Sequence, residues 1–368
     1  MIIQSIELNN FRNYENLQIS FDEGTNILFG DNAQGKTNIL EAAYLSGTTK
    51  SHKGSKDKEM IRFGTNEAHL RTMVLKNGKQ YQIDMHLKHN RSKGIAVNKI
   101  PMKKASELFG ILNIVFFSPE DLNIIKNGPS ERRHFLDAEL CQLDKIYLSD
   151  LSNYNKILNQ RNKLLKDMVY RPELSDTLPV WDMQLADTGK KIIRRREQFV
   201  KELNELVHEI HYRISGGREE LFLSYEPSVS ADLLEQELER VKLRDLKQCQ
   251  TSVGPHRDDL LFSIADVDIR KFGSQGQQRT SALSLKLSEI ELVRKSIHDT
   301  PVLLLDDVLS ELDSNRQNYL LNSICDTQTI ITCTGLDEFI RNRFEINKVF
   351  EVISGQVFEK GQVIERQG

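Results

Sequence analysis

Residues Gly30 to Thr37 have the types and spacing of a loop that binds phosphate. They read Gly-Asp-Asn-Ala-Gln-Gly-Lys-Thr and match the pattern GxxxxGK[ST]. The glycines let backbone N–H groups surround a polyphosphate, Lys36 reaches the β- and γ-phosphates, and the Thr37 hydroxyl holds Mg²⁺. A strand predicted at 26–29 and a helix predicted at 37–45 flank the loop, which disfavours a chance match. We predict that the whole loop contacts a nucleotide through Gly30, Asp31, Asn32, Ala33, Gln34, Gly35, Lys36 and Thr37.

A second pair of chemically useful residues, Asp306 and Asp307, follows the apolar run 301–305. This run predicts a buried strand that carries Asp306 to its tip, where it would complete the Mg²⁺ shell as the Walker B carboxylate. Asp307 would position or deprotonate the attacking water. Neighbouring strand residues point to opposite faces, so both reach one site only if the strand ends in a turn there. The alternative is a plain strand followed by a turn.

The third candidate is the polar segment 272–280, which precedes a predicted helix. Ser274 and Gly276 at a helix N-terminus can offer hydroxyl and backbone N–H donors to a phosphate, and we include Gln277 in this nucleotide-binding set. The alternative is an ordinary polar N-cap, with Ser274 or Thr280 as the capping residue.

Length and composition limit the classes of protein to which the chain can belong. Its 368 residues are 39% hydrophobic and 28% charged, which excludes wholesale disorder and allows two or three domains. The net charge of −3 excludes a uniformly basic nucleic-acid binder, so any nucleic-acid binding must be local. Four scattered cysteines (Cys141, Cys249, Cys325 and Cys333) favour a reducing, cytoplasmic compartment. Neither a signal peptide nor an apolar run of ~18 residues is recognised, so we expect no membrane partner.

The pattern of residues divides the chain into three parts. The first hundred residues alternate like strands and include Asn77-Gly78, a strong hairpin signal, with another strand pair expected around Asn98-Lys99. Residues 130–167, 183–214 and 231–246 predict amphipathic or charged helices. The last third predicts strands at 260–264, 302–305 and 329–333, with helices at 280–298 and after 314.

Several stretches together resemble a known family. Leu8–Tyr14 is similar to the opening of SMC-like heads. The order of phosphate loop, large insertion, Ser274 segment, Asp306 strand and Ser310–Asp313 is typical of ATP-binding-cassette (ABC) ATPases. In order along the chain, the stretches Asp31–Ala42, Phe117–Leu122, Gly128–Asp137, Gly254–Asp259 and Ser274–Arg279 resemble the RecF family of bacterial DNA replication and repair ATPases.

The resemblance implies an α/β fold, namely an ABC-type P-loop ATPase head with mixed sheets. The head would be split in sequence into 1–115 and 250–368, with a mainly α-helical second domain inserted at 116–249. Only 270 residues separate Lys36 from Asp306. The insertion therefore cannot form the long coiled-coil arm of SMC relatives, and we expect a compact helical domain.

The resemblance also implies a mechanism and partners. ATP with Mg²⁺ on Thr37 and Asp306 would close two heads into a homodimer, in which Ser274 and Gly276 of one subunit meet the γ-phosphate on the other. Hydrolysis would release the dimer and the DNA that it holds, at gaps and at junctions of single and double strand. RecO and RecR would be partners in loading the recombinase. Another ABC-type ATPase, such as a transporter ATPase subunit, is the alternative.

Two positions depart from the common ABC pattern. After the strand that follows Asp306, transporter ATPases usually carry a switch histidine, whereas this chain offers Thr332 and Thr334. The missing histidine counts against the transporter alternative and leaves the γ-phosphate sensor unassigned. Asp307 stands where a glutamate is common, and its shorter side chain leads us to expect slow hydrolysis.

Other charged residues have both a functional and a structural interpretation. Lys190, Lys191 and Arg194–Arg196 form a basic helix face that could contact DNA, or could be a solvated face paired with Glu197 and Glu202. Arg132 and Arg133 could meet an anionic partner or a carboxylate such as Asp137. His86 and His89 suggest a metal only superficially, and ordinary surface histidines are the favoured interpretation.

Overall fold

The structure is a computed structural model that describes residues 1–324, 326–336 and 345–360. It divides into two compact units. The first contains Met1–Asp121 and the chain from Glu289 onward, and the second contains Leu122–Ser288. The second unit is therefore an insertion within the sequence of the first.

Strands occur in both units. Along the described residues they are β1 (Ile2–Phe11), β2 (Tyr14–Ser20), β3 (Thr25–Phe29), β4 (Glu67–Lys76), β5 (Lys79–Lys88), β6 (Arg91–Val97), β7 (Ile100–Pro101), β8 (Ile114–Phe117), β9 (Leu221–Glu226), β10 (Asp259–Ile264), β11 (Val267–Asp268), β12 (Val302–Asp306), β13 (Thr329–Cys333), β14 (Lys348–Ile353) and β15 (Gln356–Lys360).

Most helices belong to the second unit. Along the described residues they are α1 (Lys36–Thr48), α2 (Leu122–Lys126), α3 (Pro129–Leu143), α4 (Lys145–Asp167), α5 (Leu178–Ile214), α6 (Leu234–Arg240), α7 (Lys242–Gln248), α8 (Ile269–Phe272), α9 (Gln275–Ile297) and α10 (Ser314–Ser323).

The first unit contains two sheets. The antiparallel sheet has the order β2-β1-β4-β5-β6-β7, and Asn77 and Gly78 both take positive φ angles in its β4–β5 turn. Asn98 and Lys99 do the same between β6 and β7, so both predicted hairpins are confirmed. The second sheet has the order β15-β14-β3-β13-β12-β8 and is parallel from β14 to β8.

The apolar faces of both sheets and of α1 form a common core in the first unit. Ile6, Leu70, Ile39 and Leu304 are members that come from β1, β4, α1 and β12, and each is at most 3% exposed. Parallel strands place their carboxyl ends at one edge of a sheet. In the register of this sheet, Phe29 lies beside Cys333 and Thr332 lies beside Asp306. The core therefore fixes the phosphate loop and the acidic strand tip at the same edge.

The helical part of the second unit differs in detail from the sequence prediction. The helix expected at 130–167 is broken into α3 and α4 at Asp144. There the carboxylate caps α4 by accepting hydrogen bonds from the amides of Ile146 (2.9 Å) and Tyr147 (3.0 Å). The charged helix expected at 231–246 is likewise divided into α6 and α7.

The second unit also contains a small antiparallel sheet, β11-β10-β9. We expected residues 250–288 in the head, but the structure groups them with the second unit. The expected boundaries after 115 and 249 instead fall after Asp121 and Ser288. The physical reason is the strand β9, which we did not predict from the sequence. It pairs with β10 along its full length, so β10 and the chain that follows it belong to the second unit.

Buried arginines link distant parts of the second unit. Arg132 makes a bidentate pair with Asp259 (2.6 and 3.0 Å) rather than with Asp137. Asp137 instead accepts from Arg196 (2.7 Å). Arg161 is fully buried and donates to Asp182 (2.6 Å), Asp245 (2.8 Å) and the Thr251 hydroxyl (2.8 Å).

The basic face of α5 is paired with acids from other elements. Lys190 lies 3.5 Å from Glu235, Arg194 2.6 Å from Asp232 and Arg195 2.9 Å from Asp144. The carboxylates are thus not the expected Glu197 and Glu202. Arg196 pairs with Asp137, so four of the five cations already face an anion, and only the exposed Lys191 makes no ion pair with a described residue. This face therefore has little free positive charge to offer a DNA backbone.

Over 1–324, 326–336 and 345–360, no helix combines the length and the apolar character needed to cross a bilayer.

Removing Arg161 should destabilise the second unit strongly. Arg161→Ala leaves the buried carboxylates Asp182 and Asp245 without their cation, and we expect a loss of ~3–5 kcal/mol of unfolding free energy. Trp181, the only tryptophan in the sequence, lies in this unit and reports its unfolding in urea by fluorescence.

Arg213→Ala is the matched control. It removes an exposed pair with Glu209 (2.5 Å) one helical turn away, which should contribute at most ~0.5 kcal/mol. Equal losses for the two variants would contradict a special role for the buried pair.

Candidate nucleotide-binding site

The phosphate loop has a backbone that few side chains tolerate. Gly30, Ala33 and Gly35 have φ angles of +147°, +63° and +117°. A Cβ on Gly30 would lie 2.4 Å from the Val352 carbonyl oxygen, and one on Gly35 would lie 2.5 Å from Asn13. Glycine is therefore required at both ends of the loop, where the positive φ angles turn the chain around the space a phosphate would fill.

The outer side of the loop is held by two other segments of the first unit. Asn13 donates to the Gln34 carbonyl (3.0 Å), and the buried Tyr14 hydroxyl donates to the Gly35 carbonyl (3.1 Å). From the β14–β15 turn, the Ser354 amide donates to Oε1 of Gln34 (2.5 Å) and the Gly355 amide to its carbonyl (3.1 Å). The loop is thus preorganised by hydrogen bonds from residues outside the loop.

Lys36 lies across the loop. Its ammonium group donates to the carbonyls of Gly30 (2.6 Å) and Asp31 (2.9 Å), while the residue as a whole is 4% exposed. A buried cation among backbone carbonyls is suited to move onto a phosphate oxygen, because an anion is a better partner than a carbonyl dipole.

Thr37, Asp306 and Thr332 form a hydrogen-bonded chain. Oδ1 of Asp306 accepts from the Thr37 hydroxyl (2.8 Å) and from the Thr332 hydroxyl (2.7 Å). A carboxylate and a hydroxyl side by side are oxygen ligands of the kind that Mg²⁺ prefers. The donor set therefore fits the predicted Mg²⁺ site at Thr37 and Asp306.

Asp307 reaches the same site because the strand ends at Asp306. The φ of Asp307 is +52°, so its side chain does not point to the opposite face of the sheet as in a continuing strand. Asp307 therefore lines the cavity beside Lys36 and Thr37. Its amide donates to the Thr332 hydroxyl (3.0 Å). Burial and the neighbouring Asp306 raise the pKa of Asp307 above its ordinary value, although Lys36 partly opposes this shift.

The cavity next to the loop has a volume of about 260 Å³. Besides the loop residues 32–37, Asn38 and Asp307, it is lined by Lys53, which the sequence reading did not single out. Nearby, the fully buried Glu41 binds Arg12 through both carboxylate oxygens (2.7 Å each) and Ser51 (2.5 Å). Burial alone would raise the pKa of Glu41, but these hydrogen bonds outweigh it and the pKa is lowered.

His52 is a second residue near the site that we did not predict from the sequence. Its ring stacks on Phe116 at 4.1 Å, and both ring nitrogens are buried without a hydrogen-bond partner among the described residues. Burial lowers the pKa of His52 to about 4, so the ring is neutral at physiological pH. No spacing pattern marks His52 or Lys53. The signal for Arg12 and Asn13 was their place in the SMC-like opening.

Ser274, Gly276 and Gln277 lie in the second unit, at the N-terminus of α9. The Ser274 hydroxyl accepts from the Gln277 amide (3.2 Å), and the Gln277 side chain accepts from the Ser274 amide (2.9 Å). This reciprocal pair is a capping box, so the N-cap interpretation holds in this structure. Ser274 and Gly276 are exposed.

Nearly the whole chain matches a known protein family. The profile of the RecF/RecN/SMC N-terminal domain family matches residues 2–356. The chain belongs to this family. The resemblance expected from the sequence is thereby confirmed, and the match covers both units.

Several curated relatives match nearly the whole chain. The chain is 74% identical over 357 residues to the DNA replication and repair protein RecF of Agathobacter rectalis, covering 97% of the chain and 99% of the relative. It is 63% identical over 359 residues to RecF of Lachnospira eligens, with coverage of 97% and 99%.

Solved structures give the same result for the fold. A structure of the recombination mediator protein RecF-ATP in the RecFOR pathway matches with a TM-score of 0.92 and 37% identity, over 98% of this chain and 97% of that one. An Smc head bound to the C-winged helix domain of ScpA matches at 0.59 with 17% identity, over 100% and 99%, which supports the fold alone. The RecF-family fold class is confirmed, and the transporter alternative is not favoured.

Gly30→Ala should weaken nucleotide binding strongly, because the added Cβ would collide with the Val352 backbone carbonyl. Gly54→Ala is the control, since Gly54 also has a positive φ (+69°) but no described atom lies within 4 Å of a Cβ added there. A fluorescent ATP analogue titrated into each variant should bind Gly54→Ala like the wild type and Gly30→Ala at least about tenfold more weakly. Similar affinities would contradict the assigned loop geometry.

Proposed function

We propose that this protein is an ATP-dependent DNA-binding ATPase of recombinational DNA repair and replication. The observation that supports it most is the hydrogen-bonded set of Thr37, Asp306 and Thr332 beside the phosphate loop, in a chain 74% identical to a DNA replication and repair protein RecF. The substrate is ATP, as in the similar solved RecF-ATP structure. We expect it to act in the cytoplasm.

Different residues of the site bind the phosphates of ATP, neutralise their charge and orient the metal ligand. Amides of the loop bind the β- and γ-phosphates, and Lys36 leaves its two carbonyl partners to neutralise charge on them. Thr37 and Asp306 would hold Mg²⁺, which supplies further charge neutralisation on the phosphates. Thr332 keeps Asp306 oriented by donating to the same oxygen that Thr37 uses.

Asp307 is the proposed base for the attacking water. It lines the cavity next to Lys36, and its raised pKa makes the carboxylate a better proton acceptor. Its left-handed backbone aims the carboxylate at the site and leaves Asp306 free for the hydroxyls.

ATP also drives dimerisation in this proposal. Ser274 and Gly276 are exposed at the start of the 23-residue helix α9, where backbone N–H groups favour an anion. They would meet the γ-phosphate bound by the second copy, with Gln277 holding the cap. Hydrolysis would remove this bridge and open the dimer.

The closed dimer would grip DNA at gaps and at junctions of single and double strand. A net charge of −3 requires local contacts, and pairing of the α5 cations with acids argues that these contacts lie elsewhere. RecO- and RecR-type proteins are the proposed partners in loading a recombinase, as the RecFOR context of the similar structure suggests.

A gel shift with gapped DNA tests the proposal. The wild type should bind DNA more tightly with ATP than without it, and Lys36→Met should lose the ATP-dependent part. Lys50→Met is the control, because this exposed lysine lies just beyond α1 and outside the cavity. Absence of DNA affinity in every nucleotide state would refute the DNA-binding function.

Asp307→Asn separates ATP binding from hydrolysis. Asparagine tolerates positive φ and keeps the shape of the side chain, but it cannot accept the proton. We expect turnover to fall by about 10²-fold or more, with ATP affinity and ATP-dependent dimerisation, measured by analytical ultracentrifugation, retained. Turnover equal to that of the wild type would remove Asp307 from this role.

The same variant should show a pH-dependent gain in stability. A folded-state pKa above the ordinary value of 3.8 means that ionising Asp307 costs stability. The cost is absent below pH 3.8 and complete above the raised pKa. Asp307→Asn should therefore melt at a higher temperature than the wild type near pH 7.5, and the difference should shrink as the pH is lowered. A constant difference would contradict the raised pKa.

A further inference from the structure

Three side chains with metal-binding chemistry meet on the antiparallel sheet, away from the phosphate loop. His69 on β4 and His86 on β5 are directly opposite in the strand register, and Glu67 precedes His69 by two residues on the same face. The two imidazole rings stack with centroids 3.9 Å apart and planes 25° apart. We refer to Glu67, His69 and His86 as the His69 cluster.

The donor atoms of the His69 cluster converge. Nε2 of His86 lies 3.0 Å from one Glu67 oxygen, and Nε2 of His69 lies 3.7 Å from the other. One donor atom from each residue lies within 4.8 Å of the others. Ligand atoms around a tetrahedral Zn²⁺ ion are about 3.3 Å apart, given bonds of about 2.0–2.1 Å. The two nitrogen–oxygen separations bracket this value, so side-chain rotations that bring the two imidazole nitrogens to the same spacing would complete three corners of a tetrahedron.

The cluster is open on the side where a fourth ligand would bind. The side chains of His69 and Glu67 are 53% and 49% exposed. Gly94 on β6 lies opposite His86, and among the described residues a Cβ built there would contact only the Cβ of His86, at 3.8 Å. The glycine thus leaves the second imidazole uncovered, and a groove of about 460 Å³ begins at the two histidines.

The local charges also suit a cation. Arg71, the next residue on this face, is committed to Asp84 (2.7 Å) and Glu7 (3.4 Å). Lys88 would compete with a metal ion for the Glu67 carboxylate, because its ammonium group lies 3.5 Å from that carboxylate. A bound dication would displace this single exposed contact, which contributes little by itself.

We propose that the His69 cluster is a binding site for a borderline divalent transition metal, with Zn²⁺ as the expected ion. The ligands are Nε2 of His69, Nε2 of His86 and the Glu67 carboxylate, and the fourth position is exchangeable. Two nitrogen donors disfavour Mg²⁺ and Ca²⁺, which prefer oxygen, so this site and the Mg²⁺ site at Thr37 and Asp306 select different ions.

Isothermal titration of the full-length, untagged protein with ZnCl₂ in excess Mg²⁺ tests the site. We expect one equivalent of Zn²⁺ to bind, and His69→Ala and His86→Ala each to weaken binding at least about tenfold, since even outer-shell partners of a metal contribute that much. His89→Ala is the control, because this exposed histidine lies just past β5 and outside the cluster. Lys88→Gln should tighten binding, by up to about fivefold, because it removes a nearby like charge.

Titration with Co²⁺ gives a second readout. Coordination by two imidazoles and a carboxylate should produce visible absorption bands that His86→Ala abolishes and His89→Ala retains. Binding of the ATP analogue by each variant checks that the first unit is folded. Absence of stoichiometric Zn²⁺ binding, or binding unchanged in the His69→Ala/His86→Ala double variant, would overturn the proposal and leave an ordinary surface cluster.

Discussion

One carboxylate oxygen, Oδ1 of Asp306, connects the parts on which the candidate site depends. It accepts hydrogen bonds from Thr37 at the start of α1 and from Thr332 on the neighbouring strand β13. These contacts form only if β3, β13 and β12 are parallel and in register, because only then do their carboxyl ends meet. The apolar core below the sheet maintains that register, so packing remote from the site determines the geometry of the chemistry.

The parts of the site that local patterns encode could be predicted from the sequence. The loop, Lys36, Thr37 and Asp306 each follow an apolar strand, and the strand ends supply their position. The orientation of Asp307 could not be predicted, since it depends on a φ of +52° that no residue type enforces. Lys53 was missed for a related reason, because it lines the cavity through the path of the chain after α1 rather than through a motif.

Contacts between residues far apart in the sequence explain the other differences between the predictions and the structure. The sequence led us to expect partners for the α5 cations on the same helix, at Glu197 and Glu202, whereas the partners of Arg194 and Arg195 lie 38 and 51 residues away. The strand β9 has a short alternating sequence within a helical region, and its pairing with β10 is likewise non-local. In the second unit, buried arginines such as Arg161 pair with acids from distant parts of the chain. Because a buried charge left without its partner is costly, these elements must pack together for the ion pairs to form.

The contacts from the β14–β15 turn to the phosphate loop bear on how the protein is made. Ser354 binds Gln34 across 320 residues of chain, and Val352 packs directly against Gly30. At ~5–20 residues per second, a ribosome needs roughly 15–60 s to synthesise that interval. The loop therefore leaves the ribosome long before the turn that supports it. A nascent chain stalled before this turn would present the loop sequence without the framework that shapes it for ATP.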